Sequence, residues 1–513
     1  MNVLILSNPA RGYYKFFNAL AMEFKKDRHD VRFAVDCDYT ANINELGKTG
    51  LPVHVLTDFI SLQDKREMTQ LDGYRGYNLN AALLSDFERS QVQGSLGMWN
   101  TTFADDIKIH LLSFFEKIVK EHDTDVVIFE NVSDMFAYFC WFVCDKLGVH
   151  YCGLTSSRLP GRFVLTNDPT EESAPIAATM GEIQLGDLDV PAEARMWCQD
   201  YIDKIESIVP DYMKFNGLGS ATLFSNQDAA DKFRVWWGAI RFSFSTGNSY
   251  KVGNPLRKRI RIARRAIGRR CRIPFIRRYY DAPVDSENFL LYPLHYHPES
   301  STSVLAASYL DEYEVIRNIA FNLPYGVRLY VKDHVSAFGI PKRSFYEALS
   351  HLPNVRLIEP FAKTKELIKR SMAVIALTST VGYEALLMGK RVFLYGRVFY
   401  EFHPNVVRVQ DPTGLFDLLR KWLGAPLPVG REYNLAFVEA YYMCSLPGVL
   451  DMVGPGAEAL AKDVYPDVLA ALVSRTPRHG FINRSSVADV DQPNGSANPS
   501  GTNARTPIER QLP

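Results

Sequence analysis

The sequence predicts an α/β protein of two doubly wound, Rossmann-like domains that face each other across a cleft. Short apolar runs alternate with amphipathic helical patterns over residues 3–154, and the alternation returns over residues 289–395. Such alternation is typical of a parallel sheet with helices on both faces. Between the two series lies Lys251–Tyr280, which holds twelve lysines and arginines and no acidic residue. We therefore expect two domains joined by a basic linker.

The first series supplies the elements of the N-terminal domain. Its strand candidates are short and apolar, and its helix candidates repeat apolar residues at helical spacing. The predicted strands are Val3–Ser7, Val31–Val35, Val53–Leu56, Asp125–Glu130 and His150–Leu154. The predicted helices are Tyr13–Lys26, Asp105–Glu121 and Asp134–Leu147.

The second series contains the most informative segment of the chain, Ala373–Gly396. It is predicted to form a buried strand, a hydroxyl-rich turn at Thr378–Thr380, a helix and a second buried strand, Val392–Tyr395. The other predicted strands are Phe289–His295, Arg328–His334 and Val355–Glu359. The other predicted helices are Val304–Asn322, Ser344–Leu352, Thr364–Arg370, Pro412–Leu423, Glu432–Met443 and Gly456–Val473.

The rest of the chain sets the domain boundaries. A helical stretch near Pro191–Ile208 and a tryptophan-rich segment near Val235–Phe242 interrupt the pattern, and the chain beyond Thr476 is rich in Ser, Asn, Pro, Gly and Arg. Such a tail cannot bury enough apolar surface to fold. We predict an N-terminal domain (1–165), a helical insert with the basic linker (166–285), a C-terminal domain with closing helices (286–475) and a disordered tail (476–513).

Composition predicts a cytoplasmic protein. The 513 residues contain 58 Lys plus Arg and 58 Asp plus Glu, so net charge predicts no partner. Seven cysteines without a CxxC pair suit a reducing compartment. Met1–Ser7 runs directly into a strand, and no apolar run approaches the about 20 residues of a spanning helix. Such a protein could also contact the inner face of the plasma membrane peripherally.

Polar residues follow the predicted strands of the C-terminal domain. Thr378, Ser379 and Thr380 precede a helix, where hydroxyls and free amides can bind phosphate, although they could simply cap that helix. Glu384 follows one turn later and could bind ribose hydroxyls or complement the helix dipole. Lys332 and His334 end another strand, and a cation and an imidazole there can bind a diphosphate. The alternative for Lys332 is a surface ion pair with Asp333.

A third strand of this domain is followed by the polar run LHYHPESSTS. We predict that His295, His297 and Ser301 contact sugar or phosphate, or that the loop merely caps the next helix. The spacing of the two histidines resembles a metal pair, but no third ligand or HExxH frame lies nearby, so no metal is predicted.

In the N-terminal domain, Glu130 ends a strand and could take a proton from an acceptor hydroxyl. Asp36 and Asp38 follow another strand and compete with it, while Asp134 is expected to cap a helix. Arg158 could bind an anionic sugar or phosphate, or form an ion pair with Glu130.

The basic stretch of residues 251–280 approximates a cationic amphipathic helix. It could contact anionic lipid or serve as a solvated linker, and the sequence favours neither interpretation over the other. Nucleic-acid binding is not predicted, because no recognised motif or basic–aromatic platform accompanies the charge.

Together, LYPLHYHPESSTS, LPYGVRLYVKDH, LPNVRLIEP and STVGYEALLMGKRVFLYG resemble the capsule polysaccharide biosynthesis family, which includes capsule-type Kdo transferases. The resemblance runs from about Phe289 to Val409, with looser matches at VVIFEN and LTSSRLPGRF. It implies a GT-B-like fold and maps the family's hydroxyl-rich turn and glutamate onto Ser379, Thr380 and Glu384. His334 is followed by Val335 where related transferases have proline, and no motif fixes the catalytic base.

The expected activity is that of a glycosyltransferase in surface polysaccharide assembly. The donor would be a nucleotide sugar, with a CMP-linked sugar as one candidate, and the acceptor a glycan or glycolipid. Glu130 would act as the base, and no cofactor is expected. The alternatives are a nucleotide-sugar epimerase and a non-catalytic polysaccharide binding or export factor.

Overall fold

Two β-sheets organise the computed structural model of the protein, and parallel strands dominate both. The structure describes residues 1–10, 12–62, 68–93, 100–209, 211, 229–244, 253–454 and 456–474. Met1–Asp467 forms one compact unit that contains both sheets, and the second unit begins at Val468. The tail predicted to be disordered, 476–513, lies outside the described residues.

The first sheet has the strand order β13-β6-β5-β4-β1-β2-β3. The five strands from β5 to β3 are parallel, whereas β6 and β13 extend the opposite edge in antiparallel fashion. The strands are β1 (Asn2–Ser7), β2 (Asp30–Val35), β3 (Val53–Val55), β4 (Val126–Glu130), β5 (His150–Ser156), β6 (Arg162–Thr166) and β13 (Leu446–Pro447). The surrounding helices are α1 (Tyr13–Lys26), α2 (Asp38–Ile43), α3 (Leu56–Ser61), α4 (Leu79–Leu84), α5 (Phe87–Gln93), α6 (Thr101–Glu121) and α7 (Met135–Leu147).

The second sheet is parallel throughout, with the order β12-β11-β10-β7-β8-β9. Its strands are β7 (Asn288–Pro293), β8 (Val327–Lys332), β9 (Val355–Ile358), β10 (Ala373–Ala376), β11 (Arg391–Leu394) and β12 (Val406–Arg408). Its helices are α12 (Ser300–Ser303), α13 (Glu312–Phe321), α14 (Arg343–Ser350), α15 (Thr364–Arg370), α16 (Thr380–Leu387), α17 (Leu415–Trp422), α18 (Arg431–Met443) and α19 (Ala457–Ser474).

Between the sheets the chain forms α8 (Ala174–Leu185), α9 (Ala192–Asp203), α10 (Ala229–Phe242) and α11 (Pro255–Ile276). The basic stretch is thus largely one helix, α11, whose first turn is capped by the Asn254 side chain. No helix among the described residues combines the length and apolar character needed to cross a membrane.

The predicted doubly wound fold is confirmed, because each sheet reverses its strand order beside its first strand, at β1/β4 and at β7/β10. Apolar runs such as Ala373–Ala376 are buried along their whole length, as strands covered on both faces must be. One helix prediction was wrong in extent. Val304–Asn322 is not a single helix: α13 starts only at Glu312, where the Asp311 carboxylate accepts hydrogen bonds from the amides of Tyr313 and Glu314.

Candidate functional site

The candidate site lies where the strand order of each sheet reverses. In open α/β sheets ligands bind beyond the carboxyl ends of the strands at this point. In the second sheet these ends are His295, after β7, and Thr378, after β10. In the first sheet they are Asn8, after β1, and Glu130, the last residue of β4. Four residues at strand ends therefore mark two halves of one candidate site.

His295 joins the two strand ends of the second sheet. The backbone amide of Thr378 donates to its Nε2 at 3.4 Å, and its Nδ1 lies 3.0 Å from Glu312 Oε1. Because Nε2 accepts a hydrogen bond, the proton is on Nδ1, where it is donated to Glu312. This contact fixes the ring between two loops that bound the crevice.

Glu312, at the start of α13, organises the loop after β7. Its Oε1 also accepts hydrogen bonds from Tyr292 Oη at 3.1 Å and from the His295 amide at 3.0 Å. Burial favours the protonated form, but the hydrogen bonds from His295 and His297 lower the pKa of Glu312 to about 2. The sequence offered no signal for this role, because Glu312 has the appearance of an ordinary acid in a first helical turn.

His297 connects the two halves of the site. Its Nδ1 lies 3.0 Å from Glu88 Oε2 of α5, and its Nε2 lies 3.4 Å from Glu312 Oε2. Burial disfavours its charge, but the two carboxylates outweigh burial and raise the pKa of His297 to about 10. His297 is therefore a cation held between carboxylates.

Ser301, the third residue predicted in this loop, lies half-buried in α12. Two residues on, the buried Ser303 Oγ has no hydrogen-bond partner. A buried hydroxyl without a partner is thus present in the loop, two residues beyond the serine predicted to contact sugar.

Lys332 and His334 lie beside the same crevice, and burial lowers the pKa of both. Burial lowers the pKa of Lys332 to about 8, against Asp333 and Glu359, and its Nζ donates to the Pro360 carbonyl at 2.9 Å. Burial, with the charge of Lys332, lowers the pKa of His334 to about 4, so its ring is neutral at pH 7. Lys332 is buried rather than the surface ion pair considered as its alternative.

Asp333, between these two residues, is almost fully buried. Burial raises its pKa to about 6, although Tyr280 Oη donates to Oδ2 at 2.5 Å and the His334 amide to Oδ1 at 2.7 Å. By accepting this hydrogen bond, the Asp333 carboxyl positions the His334 backbone.

In the hydroxyl-rich turn, one hydroxyl caps a helix and another has no hydrogen-bond partner. Ser379 is the N-cap of α16, and its Oγ accepts from the Val381 amide at 3.1 Å. Thr380 is the first residue of that helix. Thr378 is buried, and its Oγ1 has no hydrogen-bond partner. A buried hydroxyl without a partner at a strand end is available to a ligand.

Close packing holds this turn in place. A Cβ at Gly396 would lie 2.7 Å from both the Leu377 carbonyl oxygen and Thr378 Cγ2. Only glycine therefore allows the end of β11 to approach the turn.

Glu384 faces α15 rather than open solvent. Its Oε1 lies 2.7 Å from Lys365 Nζ, and the side chain is buried. Burial raises the pKa of Glu384, while Lys365 lowers it. The carboxylate is paired in the ligand-free protein, so a role toward ribose would require it to share or exchange this partner.

In the first half of the site, Glu130 Oε1 accepts hydrogen bonds from Ser133 Oγ at 2.6 Å and Asn8 Nδ2 at 3.2 Å. Burial raises its pKa, against the hydrogen bond from Ser133. The charge of Glu130 in turn raises the pKa of Tyr13, to which Glu299 of the other half also contributes. Carboxylates of both halves of the site therefore act on Tyr13.

The remaining predicted residues occupy other positions. Asp134 caps α7 as expected, accepting from the Ala137 amide at 3.0 Å. Asp36 is buried and Asp38 begins α2. The backbone amide of Arg158 donates to Tyr441 Oη at 2.9 Å.

The charge of Arg158 acts on an acid that the sequence did not single out. Burial raises the pKa of Glu172, and Arg158 is the largest influence that lowers it. Asn131, next to Glu130 in the chain, donates to Glu172 Oε1 at 3.0 Å.

Helix α11 packs its inner arginines against the loops of the site. Arg265 donates to the His297 carbonyl at 3.2 Å, Arg269 to the Phe338 carbonyl at 2.6 Å, and Arg272 to the Gly339 carbonyl at 3.1 Å. The basic stretch is therefore in part a structural support of the loops after β7 and β8.

Among the described residues, no group of three or more His, Cys, Asp or Glu side chains is arranged to hold a metal ion. The two histidines of the loop after β7 instead share the carboxylate of Glu312.

Comparison with solved structures finds only distant likeness. The beta Kdo 2,7 transferase KpsC of Thermosulfurimonas dismutans is 12% identical over 70% of this chain and 89% of its own, with a TM-score of 0.31. The beta Kdo 2,4 transferase of the same organism is 14% identical over 62% and 79%, with a TM-score of 0.33. UDP-GlcNAc 2-epimerase from Neisseria meningitidis is 11% identical over 92% and 100%, with a TM-score of 0.28. TM-scores this far below 0.5 do not establish a function. No curated protein sequence matches the chain significantly.

The family comparison is more informative. Residues 282–404, just under a quarter of the chain, match the model of the family described as capsule polysaccharide biosynthesis protein. The matched region contains β7 to β11 and with them His295, Lys332 and Thr378. The resemblance stated from the sequence motifs is thereby confirmed over this region. Over residues 282–404, the chain is similar to the capsule polysaccharide biosynthesis protein family.

Proposed function

We propose that the protein is a glycosyltransferase that moves a sugar from a nucleotide-sugar donor to a glycan or glycolipid acceptor during surface polysaccharide assembly. The observation that carries the proposal is the pair of strand-order reversals, with the Thr378 turn at one and Glu130 at the other. One provides groups for an activated phosphate, and the other provides a carboxylate for an acceptor hydroxyl.

On the donor side, Lys332 and the start of α16 would stabilise negative charge on the departing phosphate. Thr378 Oγ1 would donate to a phosphate oxygen, because it has no partner in the ligand-free protein. Ser379, Thr380, His334 and Glu384 complete the proposed donor site, with His295, His297 and Ser301 nearer the sugar. A CMP-linked donor is the first to test, and no cofactor enters this proposal.

On the acceptor side, Glu130 would act as the general base. Its raised pKa brings it closer to the range in which a carboxylate removes a proton efficiently at neutral pH. Arg158 would bind an anionic group of the acceptor while it balances Glu172. We assign the acceptor to residues 1–165, the donor to 286–475, and the whole to the cytoplasm, with peripheral contact between 251–280 and an anionic membrane.

A thermal-shift screen with CMP, CDP, UDP, GDP and their sugars tests the donor side. A nucleotide that binds only the folded state adds about 2.7 kcal/mol of stability at a hundred times its Kd. We expect one nucleotide to raise the melting temperature, and Lys332→Ala to abolish that rise. Lys363→Ala is the matched control, because Lys363 is an exposed lysine paired only locally with Glu366.

The proposal fails if no nucleotide binds while glycan does, which would indicate a binding or export factor. It also fails if the protein alone converts a nucleotide sugar into an isomer, which is the activity of an epimerase.

A further inference from the structure

Helix α10 presents an apolar stripe to solvent. Phe233, Trp236, Trp237 and Ile240 are all exposed, Phe233 at 70% and Trp237 at 59%. At 3.6 residues per turn these four positions share an arc of about 100°. The rings of Phe233 and Trp237 stack on each other, one turn apart. An apolar stripe of this width normally faces a protein core.

Helix α10 packs against the protein with the side opposite to this apolar stripe. Gly238 and Ala239 are buried, and Gly238 lies beside Tyr39 and Ile43 of α2. Ala239 belongs to the same small apolar cluster as these two residues. The helix thus packs on the protein through small residues and leaves its large aromatic residues outside.

Cations border the apolar stripe. Lys232 and Arg241 are exposed and lie on opposite sides of the stripe, about 100° and 80° from Phe233 around the helix. Helix α11, which packs against α10, contains nine lysines and arginines and no acidic residue.

The outer face of α11 repeats the same combination. Ile260 and Ile267 are exposed, Ile267 at 59%, and lie between the exposed Arg257, Arg264 and Arg270. Its inner face is the one that carries Arg265, Arg269 and Arg272 against the site loops, so the helix has two differently occupied sides.

We propose that the exposed faces of α10 and α11 dock onto an anionic lipid bilayer, with the aromatic stripe at the interface and the arginines on lipid phosphates. Apolar residues bordered by cations on a helix that lies against the protein are the pattern of an interfacial helix. Tryptophan and phenylalanine favour the headgroup level, and arginines there gain from the negative surface potential. The uniformly positive charge of α11 argues for a planar anionic surface over a protein partner with mixed charge.

Only the purpose of this docking, which is to bring the enzyme to a glycolipid acceptor, rests on the proposed function. Docking would also affect the loops of the site. Because one face of α11 holds the His297 and Gly339 carbonyls, the docked helix would support the loops of the site from the membrane side.

The experiment uses the full chain and two kinds of vesicles, phosphatidylcholine alone and phosphatidylcholine with about 30% phosphatidylglycerol. Among the seven cysteines, all within the described part of the chain, Cys271 is the exposed one, and it lies on the outer face of α11. An environment-sensitive fluorophore on Cys271 should shift to the blue with anionic vesicles and not with neutral ones. The protein should also sediment with the anionic vesicles, and high salt should weaken this binding.

Matched variants separate the electrostatic contribution of the arginines to vesicle binding from the apolar contribution of the tryptophans. Arg257→Gln with Arg264→Gln should weaken vesicle binding about 25-fold, at about fivefold per cation. Trp236→Ser with Trp237→Ser should weaken it about tenfold or more, including at high salt. The controls are Arg317→Gln with Arg420→Gln and Leu185→Ser with Phe321→Ser, which remove exposed side chains of the same kind elsewhere. Unfolding midpoints check that all four proteins remain folded.

Several outcomes would overturn the proposal. They are equal binding to both kinds of vesicles, no blue shift at Cys271, or binding that survives the tryptophan changes. Tighter binding to duplex DNA than to vesicles, lost in the arginine variant, would assign the surface to nucleic acid instead. Nucleotide-dependent thermal shifts should persist in every variant, so failure of docking and failure of the transferase proposal are distinguishable.

Discussion

Thr378→Val tests the donor side of the site through a hydroxyl that the protein itself does not use. Thr378 is 8% exposed, and its buried Oγ1 has no hydrogen-bond partner. Valine keeps the shape and removes only the hydroxyl. Since a buried polar group without a partner costs about 1–3 kcal/mol, the variant should be at least as stable as the wild type and up to that amount more stable.

The effect on ligand binding should have the opposite sign. A hydrogen bond to a charged phosphate oxygen contributes about 1.5–3 kcal/mol. Its loss corresponds to a Kd for the donor nucleotide that is about 10- to 150-fold higher. The amide of Thr378 still donates to His295, so the local backbone should be unchanged.

The assay pairs urea unfolding with calorimetric titration of the nucleotide found in the thermal-shift screen. Thr302→Val is the control, because Thr302 Oγ1 is engaged with the Glu299 carbonyl at 3.0 Å. That variant should lose about 1 kcal/mol of stability and keep its nucleotide affinity. Unchanged affinity in Thr378→Val, or a clear loss of stability, would refute the reasoning.

Three further predictions concern other parts of the site. Donor affinity should fall as pH rises through about 8, where Lys332 loses its proton, and Lys332→Arg should remove this dependence in titrations from pH 7 to 9. Glu312→Gln should cost about 3–5 kcal/mol in urea unfolding because it leaves the half-buried His297 cation short of a partner; a loss below about 1 kcal/mol would contradict this. Glu130→Gln keeps the acceptor oxygen for Ser133 and Asn8, so kcat should fall about 10²- to 10⁴-fold with donor Kd unchanged, and a normal kcat would exclude Glu130 as the base.

The sequence was sufficient for the strands and for the residues at their carboxyl ends. Burial of a strand on both faces imposes a local apolar run, as at Ala373–Ala376, so each strand can be recognised by itself. Residues such as Glu130 and Thr378 could then be placed at strand ends. The strand order was not readable, although alternating strands and helices made a doubly wound arrangement the natural expectation.

What the sequence could not supply was the partner of each charged side chain. His297 lies between Glu88, 209 positions away, and Glu312, and neither partner could be predicted from the sequence. Glu384 pairs with Lys365 of the preceding helix. Such pairings depend on how separate elements pack, and nothing local to a glutamate indicates which cation it will meet.

The late start of α13 has a related cause. The segment before it is rich in serine and threonine, whose side chains bond to nearby backbone; Thr302 Oγ1, for example, donates to the Glu299 carbonyl. Ala306 also has to pass close to Gly396 at the end of β11. Helical periodicity in the sequence contains neither of these constraints.

Asp333 shows how the site is maintained at the expense of stability. Its folded-state pKa of about 6 lies above its ordinary value of 3.8, so the folded protein binds this proton more tightly than the unfolded chain. The contribution of the carboxyl to stability is therefore full below about pH 4 and is lost as pH rises to about 6. A shift of about two units corresponds to about 3 kcal/mol.

Asp333→Asn should remove this pH dependence. The asparagine oxygen can still accept from the His334 amide, and its amide group can donate to Tyr280, so the variant should be up to about 3 kcal/mol more stable than the wild type at pH 8. The difference should shrink toward zero as pH falls from 6 to 4. Asp285→Asn, at a carboxylate that is 97% exposed, should show no such trend. A stability difference that is the same at pH 8 and at pH 4 would mean that burial of the charge is not what Asp333 contributes, and that the His334 loop is held by its hydrogen bonds alone.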